Sequence, residues 1–161
     1  MINKFKGDYE FLSNFSDSAI LYNGYLYPTA EHAFQAAKTL NLKEQEKVRE
    51  APTPSQAKRI GRKVQLRSDW EKIKEGVMYD IVRLKFVSNP KLAKKLLETE
   101  DNLLVEGNTW GDTYWGVCNS TGKNKLGQIL MTVRKELLEI AEVYDGLYSV
   151  YEEIEEFSKG E

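Results

Sequence analysis

The segment YPTAEHAFQAAK, residues 27–38, contains the clearest local signals in the chain. Pro28 and Thr29 open a helix that is expected to run to about Thr39, and Thr29 is a preferred N-cap residue. One side of this helix is apolar and carries Ala30, Ala33, Phe34 and Ala37. The adjoining ridge carries Glu31, Gln35 and Lys38, which are spaced four and three residues apart and therefore share one face. The segment thus predicts an amphipathic helix with three functional groups in a row.

That polar ridge has two interpretations. A carboxylate, an amide and an amine on one helix face could line a polar cleft. Charged helix faces are, however, usually solvated, and the residues by themselves favour this second interpretation. His32 on the same helix is interpreted as a structural or substrate-positioning residue rather than as a metal ligand.

The segments around this helix predict a mainly α protein. Ile20–Tyr22 and Tyr25–Tyr27 flank Asn23-Gly24, which is the strongest short signal for a β-hairpin. Further helices are expected over residues 43–51, 54–67, 70–88, 90–97 and 126–140, and capping boxes are expected to begin at Thr53 and Ser68. Leu103–Glu106 is interpreted as a short buried strand, and residues 107–122 as a loop-rich segment.

Composition limits the class of protein. With 161 residues, 41% hydrophobic and 30% charged, the chain is expected to form one globular domain. No apolar run is long enough for a membrane span and no secretory signal is evident, so a cytoplasmic protein without membrane association is expected. Cys118 and His32 are the only residues of their types, which excludes an intrachain disulfide and a zinc site of the usual kind.

Charge is distributed unevenly along the chain. Residues 142–161 hold seven acidic residues and one lysine, which leaves 18 acidic and 22 basic residues in the remainder. A mildly basic body suits an anionic ligand, such as one that carries phosphate. We therefore divide the chain into a domain over 1–142 and an acidic amphipathic extension over 143–161. The amphipathic pattern of this extension comes from Leu147, Val150, Ile154 and Phe157.

Two other segments could carry chemistry. Asp112 lies between Trp110 and Trp115 in a glycine-rich loop, where it either acts chemically or caps a turn. Residues 119–127 could present backbone N–H groups to a phosphate at the start of the last helix. Arg59 and Arg62 on an earlier helix are phosphate ligands or simply surface charges.

Taken together, these segments resemble the NADAR family. The resemblance covers residues 5–141, and its strength lies in the number of motifs and their fixed order. The motifs are Phe11–Phe15, Tyr27–Lys38, Ala57–Arg62, Asp69–Glu71 with Val77-Met78, Leu84–Phe86, Leu104–Glu106, Asp112–Gly116, and Asn124–Gly127 with Leu130-Met131 and Arg134. The local departure is Thr109–Gly111, where an additional aromatic residue is expected to reshape the pocket.

The resemblance implies an orthogonal helical bundle that cleaves ribosyl C–N bonds as an N-glycosidase and needs neither a metal nor a cofactor. It assigns catalysis to Glu31, Trp70 and Asp112. One carboxylate would activate water, the other would stabilise an oxocarbenium-like sugar, and Trp70 would stack on the base. In a rival mechanism Lys38 attacks the anomeric carbon. Phosphate contacts are expected from Arg59, Arg62, Lys123 and Arg134. Further substrate contacts are expected from Asn14, His32, Gln35, Trp115 and Asn124.

Three functions follow from this resemblance. The first is removal of ADP-ribose from modified guanine in nucleic acid, including DNA. The second is hydrolysis of phosphorylated pyrimidine intermediates of riboflavin synthesis. The third is non-catalytic binding of ADP-ribose or a nucleotide, which two catalytic carboxylates disfavour. A structural DNA-binding role has little support from so weak a basic charge.

Overall fold

The computed structural model describes residues 1–159, with side chains described through residue 147 and at residues 149, 150 and 152. It is mainly helical, as predicted. A 3₁₀ helix spans Gly7–Leu12. The α-helices are α1 (Ala30–Ala36), α2 (Leu42–Arg49), α3 (Pro54–Gly61), α4 (Trp70–Val87), α5 (Pro90–Leu97) and α6 (Lys125–Lys159). The strands are β1 (Ile20–Tyr22), β2 (Tyr25–Tyr27), β3 (Gly107–Asn108) and β4 (Val117–Cys118).

The N-terminal hairpin is confirmed. Strands β1 and β2 pair antiparallel, with Ile20 opposite Tyr27. Asn23 and Gly24 both have positive φ, at 49° and 83°. A two-residue turn of this kind matches the right-handed twist of its strands, and Asn and Gly are the residues that tolerate this backbone conformation. The hairpin packs against α1 and α4.

Helix α1 is the central element of the bundle. All seven of its residues are buried, and it packs against α2, α3 and α4. Thr29 is the N-cap, as predicted, and its side-chain oxygen accepts a hydrogen bond from the backbone N–H of His32. The α-helical part ends at Ala36, earlier than the predicted Thr39, because Lys38 and Thr39 make tighter bonds to carbonyls three residues back.

The main hydrophobic contact joins α4 to α6 and α5. Its residues are almost completely inaccessible to solvent and include Ile81, Val82, Phe86, Leu96, Leu130 and Val133. Helix α6 continues without a break from this core to Lys159, and Val143, Leu147 and Val150 are exposed along it. The tail is therefore helical through Lys159, while a domain boundary at residue 142 stays a prediction. The side chains of Ile154 and Phe157 lie outside those described.

Two predicted helix boundaries are wrong. Helix α3 ends at Gly61 and not at Arg67, because the chain then returns to α1 and α2. There the N–H of Arg67 donates to the carbonyl of Lys38, and the N–H of Gln65 donates to the Glu44 carboxylate. Ser68 does not cap α4. The N-cap position is Asp69, whose carboxylate pairs with Arg67 at 2.6 Å instead of capping the helix.

The predicted strand over Leu103–Glu106 is also wrong. The segment makes only an isolated bridge between Ile2 and Leu104. On its other side the Asn124 side chain replaces a strand partner, since it accepts from the N–H of Glu106 and donates to the carbonyl of Leu104. No helix in the described part of the chain is both long and apolar enough to cross a membrane.

A buried lysine ties α4 to the loop before the hairpin. The Lys85 side chain is 2% exposed, and its Nζ donates to the carbonyl of Ser13 at 2.8 Å and to Oγ of Ser16 at 2.7 Å. Burial lowers the pKa of Lys85 from 10.5 to about 7. The two contacts hold the loop that contains Asn14, whose carbonyl accepts from the N–H of Glu31 at 3.0 Å.

We expect the free energy of unfolding to rise between about pH 7 and pH 10. In this range the unfolded chain keeps a proton on Lys85 that the folded chain has lost, so raising the pH favours folding by a few kcal/mol at most. Urea unfolding at several pH values measures the slope. Lys85→Met should remove most of it, whereas Lys91→Met at an exposed position should not. An unchanged slope in Lys85→Met would show that Lys85 is not the titrating group.

Candidate active site

A cleft of about 670 Å³ opens beside α1 and contains most of the predicted catalytic groups. It is bounded by α1, α3, the loop around Asn14 and the segment from Glu106 to Trp115. Its polar lining residues are Ser13, Asn14, Glu31, Gln35, Lys38, Ser55, Lys58, Arg62, Glu106 and Asp112. A larger groove of about 970 Å³ lies between the 3₁₀ helix and α5, but it contains none of the predicted site residues. The smaller cleft is therefore the candidate active site, and the roles of its residues stay predictions.

Glu31 is the buried carboxyl group of the cleft. Its side chain is buried, and its Oε1 accepts a hydrogen bond from Nε2 of Gln35 at 2.7 Å. Burial raises the pKa of Glu31, and this effect is opposed by the Gln35 hydrogen bond and by the charges of Lys58 and Lys38. A carboxylate in these surroundings binds a proton more strongly than an exposed one, which suits a general base.

Lys38 lies at the same cleft, two turns after Glu31 on the same ridge. Burial lowers the pKa of its amine, the charge of Glu31 opposes this change, and the charges of Lys58 and Arg62 add to it. Its Nζ lies 5.8 Å from the centre of the Phe34 ring. A larger fraction of neutral amine is what a nucleophilic lysine requires.

Gly61 allows α3 to approach this ridge. A Cβ at Gly61 would lie 2.1 Å from Oε1 of Gln35 and 2.8 Å from its Cβ. That Oε1 is buried and has no hydrogen-bond partner among the described residues. The close approach therefore fixes the amide that in turn holds Glu31.

We expect Gly61→Ala to lower both stability and kcat, because the new methyl group must displace Gln35 from Glu31. Overpacking of this kind costs about 1–3 kcal/mol. Gly76 in α4 is the matched control, since a Cβ there meets nothing within 4 Å. Gly76→Ala should stabilise the fold by about 0.5–1 kcal/mol. Thermal unfolding and turnover of both variants provide the measurement, and equal behaviour would contradict the role given to Gly61.

Asp112 is held rigidly by its own loop. Its Oδ1 accepts from the backbone N–H groups of Tyr114 at 3.1 Å and Trp115 at 2.9 Å. The Asn108 side chain clamps the same residue by accepting from the Asp112 N–H and donating to its carbonyl. Asp112 thus caps the turn, as one interpretation predicts, and it also lines the cleft, where its chemical role stays a prediction.

Sequence reasoning gave no role to two charged residues of the cleft. Glu106 lies beside Asp112, and burial together with the Asp112 charge raises the pKa of Glu106 to about 7. Lys58 lies near two aromatic rings, with its Nζ 5.9 Å from the centre of the Phe15 ring and 6.0 Å from that of Trp110. The periodicity of α3 could have found Lys58, because Ser55, Lys58 and Arg62 share one helix face. Arg59 lies outside the cleft and is exposed.

Two predicted site residues support the wall of the cleft but do not line it. Trp70 is buried behind Phe34, with ring centres 5.1 Å apart, and Phe34 in turn meets Trp115 at 5.4 Å. Trp115 lines the cleft, so it is better placed than Trp70 to meet a base. His32 is buried between Oγ1 of Thr29 at 2.8 Å and the carbonyl of Ala51 at 2.9 Å. The structural interpretation of His32 therefore fits its surroundings.

Three other predicted contacts are engaged elsewhere. Nη1 of Arg134 donates to Oγ1 of Thr99 and to the carbonyl of Asn102. The Asn124 amide supports the Leu104–Glu106 segment. Nζ of Lys123 lies 5.3 Å from the centre of the Tyr114 ring. None of the three lines the cleft.

The start of α6 does not provide the predicted phosphate site. The N–H groups of Lys123, Asn124, Lys125 and Leu126 donate to carbonyls of the segment 113–116. These donors are therefore not free to bind a phosphate, which corrects the sequence expectation. The cations at the cleft are instead Lys38, Lys58 and Arg62.

Comparison with known proteins establishes the family. The model of the NADAR domain matches residues 2–138. The chain belongs to the NADAR family. It is 43% identical over 133 residues to the N-glycosidase YbiA of Shigella flexneri serotype 5b, covering 81% of this chain and 82% of that protein. The NMR structure of the E. coli protein YbiA superposes with a TM-score of 0.77 at 38% identity and covers 89% of both chains.

Another NADAR relative has a different name. The chain is 43% identical to a riboflavin biosynthesis protein of Vibrio vulnificus, covering 81% of this chain but only 36% of that protein. The family match and the YbiA relatives identify the chain as an enzyme of the N-glycosidase class. Among the side chains that the structure describes, no group of three or more His, Cys, Asp or Glu residues is arranged to hold a metal ion.

Proposed function

We propose that this N-glycosidase hydrolyses the bond between a phosphorylated ribosyl group and a base nitrogen, as in guanine that is ADP-ribosylated within nucleic acid. The observation that carries this proposal is the composition of one cleft. It combines the buried carboxyl group of Glu31 and the half-buried residues Glu106 and Asp112 with Lys58 and Arg62, which can bind phosphate oxygens. Its volume of about 670 Å³ lies within the range of cofactor and small-molecule sites, so a dinucleotide-sized group is an acceptable occupant.

The aromatic residues at the cleft support a substrate with a base. Trp110 is 58% exposed and Phe15 is 39% exposed, and the centres of both rings lie about 6 Å from Nζ of Lys58. Exposed aromatic rings next to a cation are typical stacking surfaces for single nucleotides. A base attached to a longer nucleic acid could stack here while the ribosyl group enters the cleft.

The mechanism assigned to the cleft is hydrolysis by an activated water. Glu31, whose pKa is raised by burial, removes a proton from water as the C–N bond lengthens. Asp112, fixed by the N–H groups of Tyr114 and Trp115, stabilises the positive charge that develops on the sugar. Lys58 and Arg62 bind the phosphate oxygens and so position the anomeric carbon.

A covalent route through Lys38 is the rival mechanism. A neutral Lys38 would attack the anomeric carbon, expel the base and, after ring opening, form a Schiff base that water hydrolyses. Borohydride added during turnover would then trap a stable sugar adduct on Lys38, which peptide mass spectrometry detects. Full activity of Lys38→Ala would exclude this route.

The second candidate substrate is a phosphorylated pyrimidine intermediate of riboflavin synthesis. It is favoured by the name of the Vibrio vulnificus relative, of which this chain matches about one third. The same cleft groups would serve, since this substrate also carries a ribosyl phosphate on nitrogen.

A product assay tests both candidates. The protein is incubated separately with guanine-ADP-ribosylated DNA and with the phosphorylated pyrimidine intermediate, and mass spectrometry follows the released sugar and base. Release of ADP-ribose from DNA supports the first function, and release of ribose phosphate from the pyrimidine alone supports the second. Micromolar binding of ADP-ribose without turnover of either substrate would contradict both and favour a binding module.

A further inference from the structure

Departure of the base requires a proton donor, and the proposed mechanism gives this role to neither Glu31 nor Asp112. When the C–N bond breaks, its electron pair stays on the nitrogen, and an amino-linked base is a poor leaving group until that nitrogen receives a proton. The donor must hold a proton near neutral pH and must reach the cleft. A third carboxyl group in the cleft is therefore of interest.

Hydrogen bonding distinguishes the three carboxyl groups. Asp112 accepts from two backbone N–H groups, and Glu31 accepts from the Gln35 amide, so each has donors that stabilise the ionised form. Oε2 of Glu106 is buried and has no partner among the described residues. This carboxyl group therefore lacks the donors that stabilise an ionised form in the other two, and the residue lines the cleft.

The surroundings of Glu106 favour its protonated form. Its charged neighbours are the carboxylates of Asp112 and Glu31, which disfavour a further negative charge, and the amines of Lys58 and Lys6, which partly offset them. Burial makes the largest contribution, and together these effects raise the pKa of Glu106 to about 7. Gly116 packs against this residue, since a Cβ there would lie 3.0 Å from Cγ of Glu106.

We propose that Glu106 is the general acid that protonates the departing base. This inference rests on the proposed hydrolysis. The water oxygen bonds to the anomeric carbon and gives its proton to Glu31. The C–N electron pair moves to nitrogen, which takes the proton of Glu106. Exchange with solvent then returns a proton to Glu106 and removes one from Glu31, so no oxidant or other reactant is needed.

The leaving group provides the test. Glu106→Gln keeps the shape of the side chain but cannot supply a titrating proton. We expect it to lower kcat/KM on an amino-linked guanine adduct by about 10²–10⁴-fold. On para-nitrophenyl ribose 5-phosphate, whose leaving group departs as a stable anion, the loss should be only a few-fold. Wild-type kcat/KM on the guanine adduct should fall as the pH rises through about 7, and Glu106→Gln should lack this fall.

Glu98→Gln is the matched control, because Glu98 is an exposed glutamate outside the cleft and should change neither profile. Equal losses on both substrates, with the fall at alkaline pH retained, would assign Glu106 a structural role and overturn the proposal.

Infrared difference spectra provide a test without substrate. A carboxylic acid band at pH 6 that is absent from Glu106→Gln supports the proposal, and its absence from the wild type overturns it. Failure of the wild type to release base from any adduct instead contradicts the proposed function.

Discussion

Glu31→Gln should lower kcat/KM by about 10²–10⁴-fold with little change in thermal stability. The amide has the shape of the carboxylate, and its oxygen can still accept the hydrogen bond from Gln35, so the ridge on α1 keeps its geometry. What the variant loses is the ability to take a proton from water. Burial already disfavours the charged form of Glu31 and raises its pKa. Replacing this carboxyl group with a neutral amide should therefore not remove an ion pair that the fold needs.

The measurement for Glu31→Gln combines steady-state kinetics with thermal unfolding. Glu139→Gln on the exposed face of α6 is the control, since that glutamate is exposed and outside the cleft. A normal rate in Glu31→Gln would remove Glu31 from the mechanism. A normal rate in this variant, together with an inactive Lys38→Ala, would instead support the rival mechanism, in which the Lys38 amine attacks the anomeric carbon.

Local chemistry explains what the sequence could predict. The Thr29 cap, the Asn23-Gly24 turn and the start of α5 at Asn89-Pro90 depend on neighbouring residues alone, and all three are confirmed. The row of Glu31, Gln35 and Lys38 also follows from helix geometry. Its burial does not, because that depends on α3 and on the loop around Asn14, both of which lie elsewhere in the chain.

Long-range contacts explain what the sequence could not predict. Glu106 has unusual surroundings only because Asp112 and α1 meet it in the folded protein, and the motif Leu104–Glu106 by itself does not reveal them. Arg134 has the charge of a phosphate ligand, but its guanidinium is engaged by Thr99 and Asn102. Lys58 and Arg62 share one face of α3 and its C-cap, whereas Arg59 lies on another face. Only the folded structure shows that the face with Lys58 and Arg62 is the one that lines the cleft.

Trp70 shows how a catalytic assignment and a position in the fold can differ. The NADAR resemblance implies a catalytic role, yet the ring lies behind Phe34 and away from the cleft. Through Phe34 it supports Trp115, which does line the cleft. A loss of activity on changing Trp70 would therefore be explained by a shifted wall, without contact between Trp70 and substrate.

Asp112→Asn should lower kcat by about 10²–10³-fold, the size of effect seen when one electrostatic stabiliser of a transition state is removed. Asparagine keeps an oxygen that can accept from the N–H groups of Tyr114 and Trp115, so KM and the unfolding temperature should change little. Asp112→Ala removes that oxygen as well, and the two unpaired N–H groups should cost about 1–3 kcal/mol of stability.

The pair of variants separates the two roles of Asp112, since Asn loses the charge but keeps an oxygen that can accept from the two N–H groups, whereas Ala loses both. Kinetics and thermal unfolding of both variants are the measurements. If Asp112→Asn is as active as the wild type, the negative charge does not stabilise the sugar. Asp112 would then serve only to hold the turn that places Trp115 against the cleft.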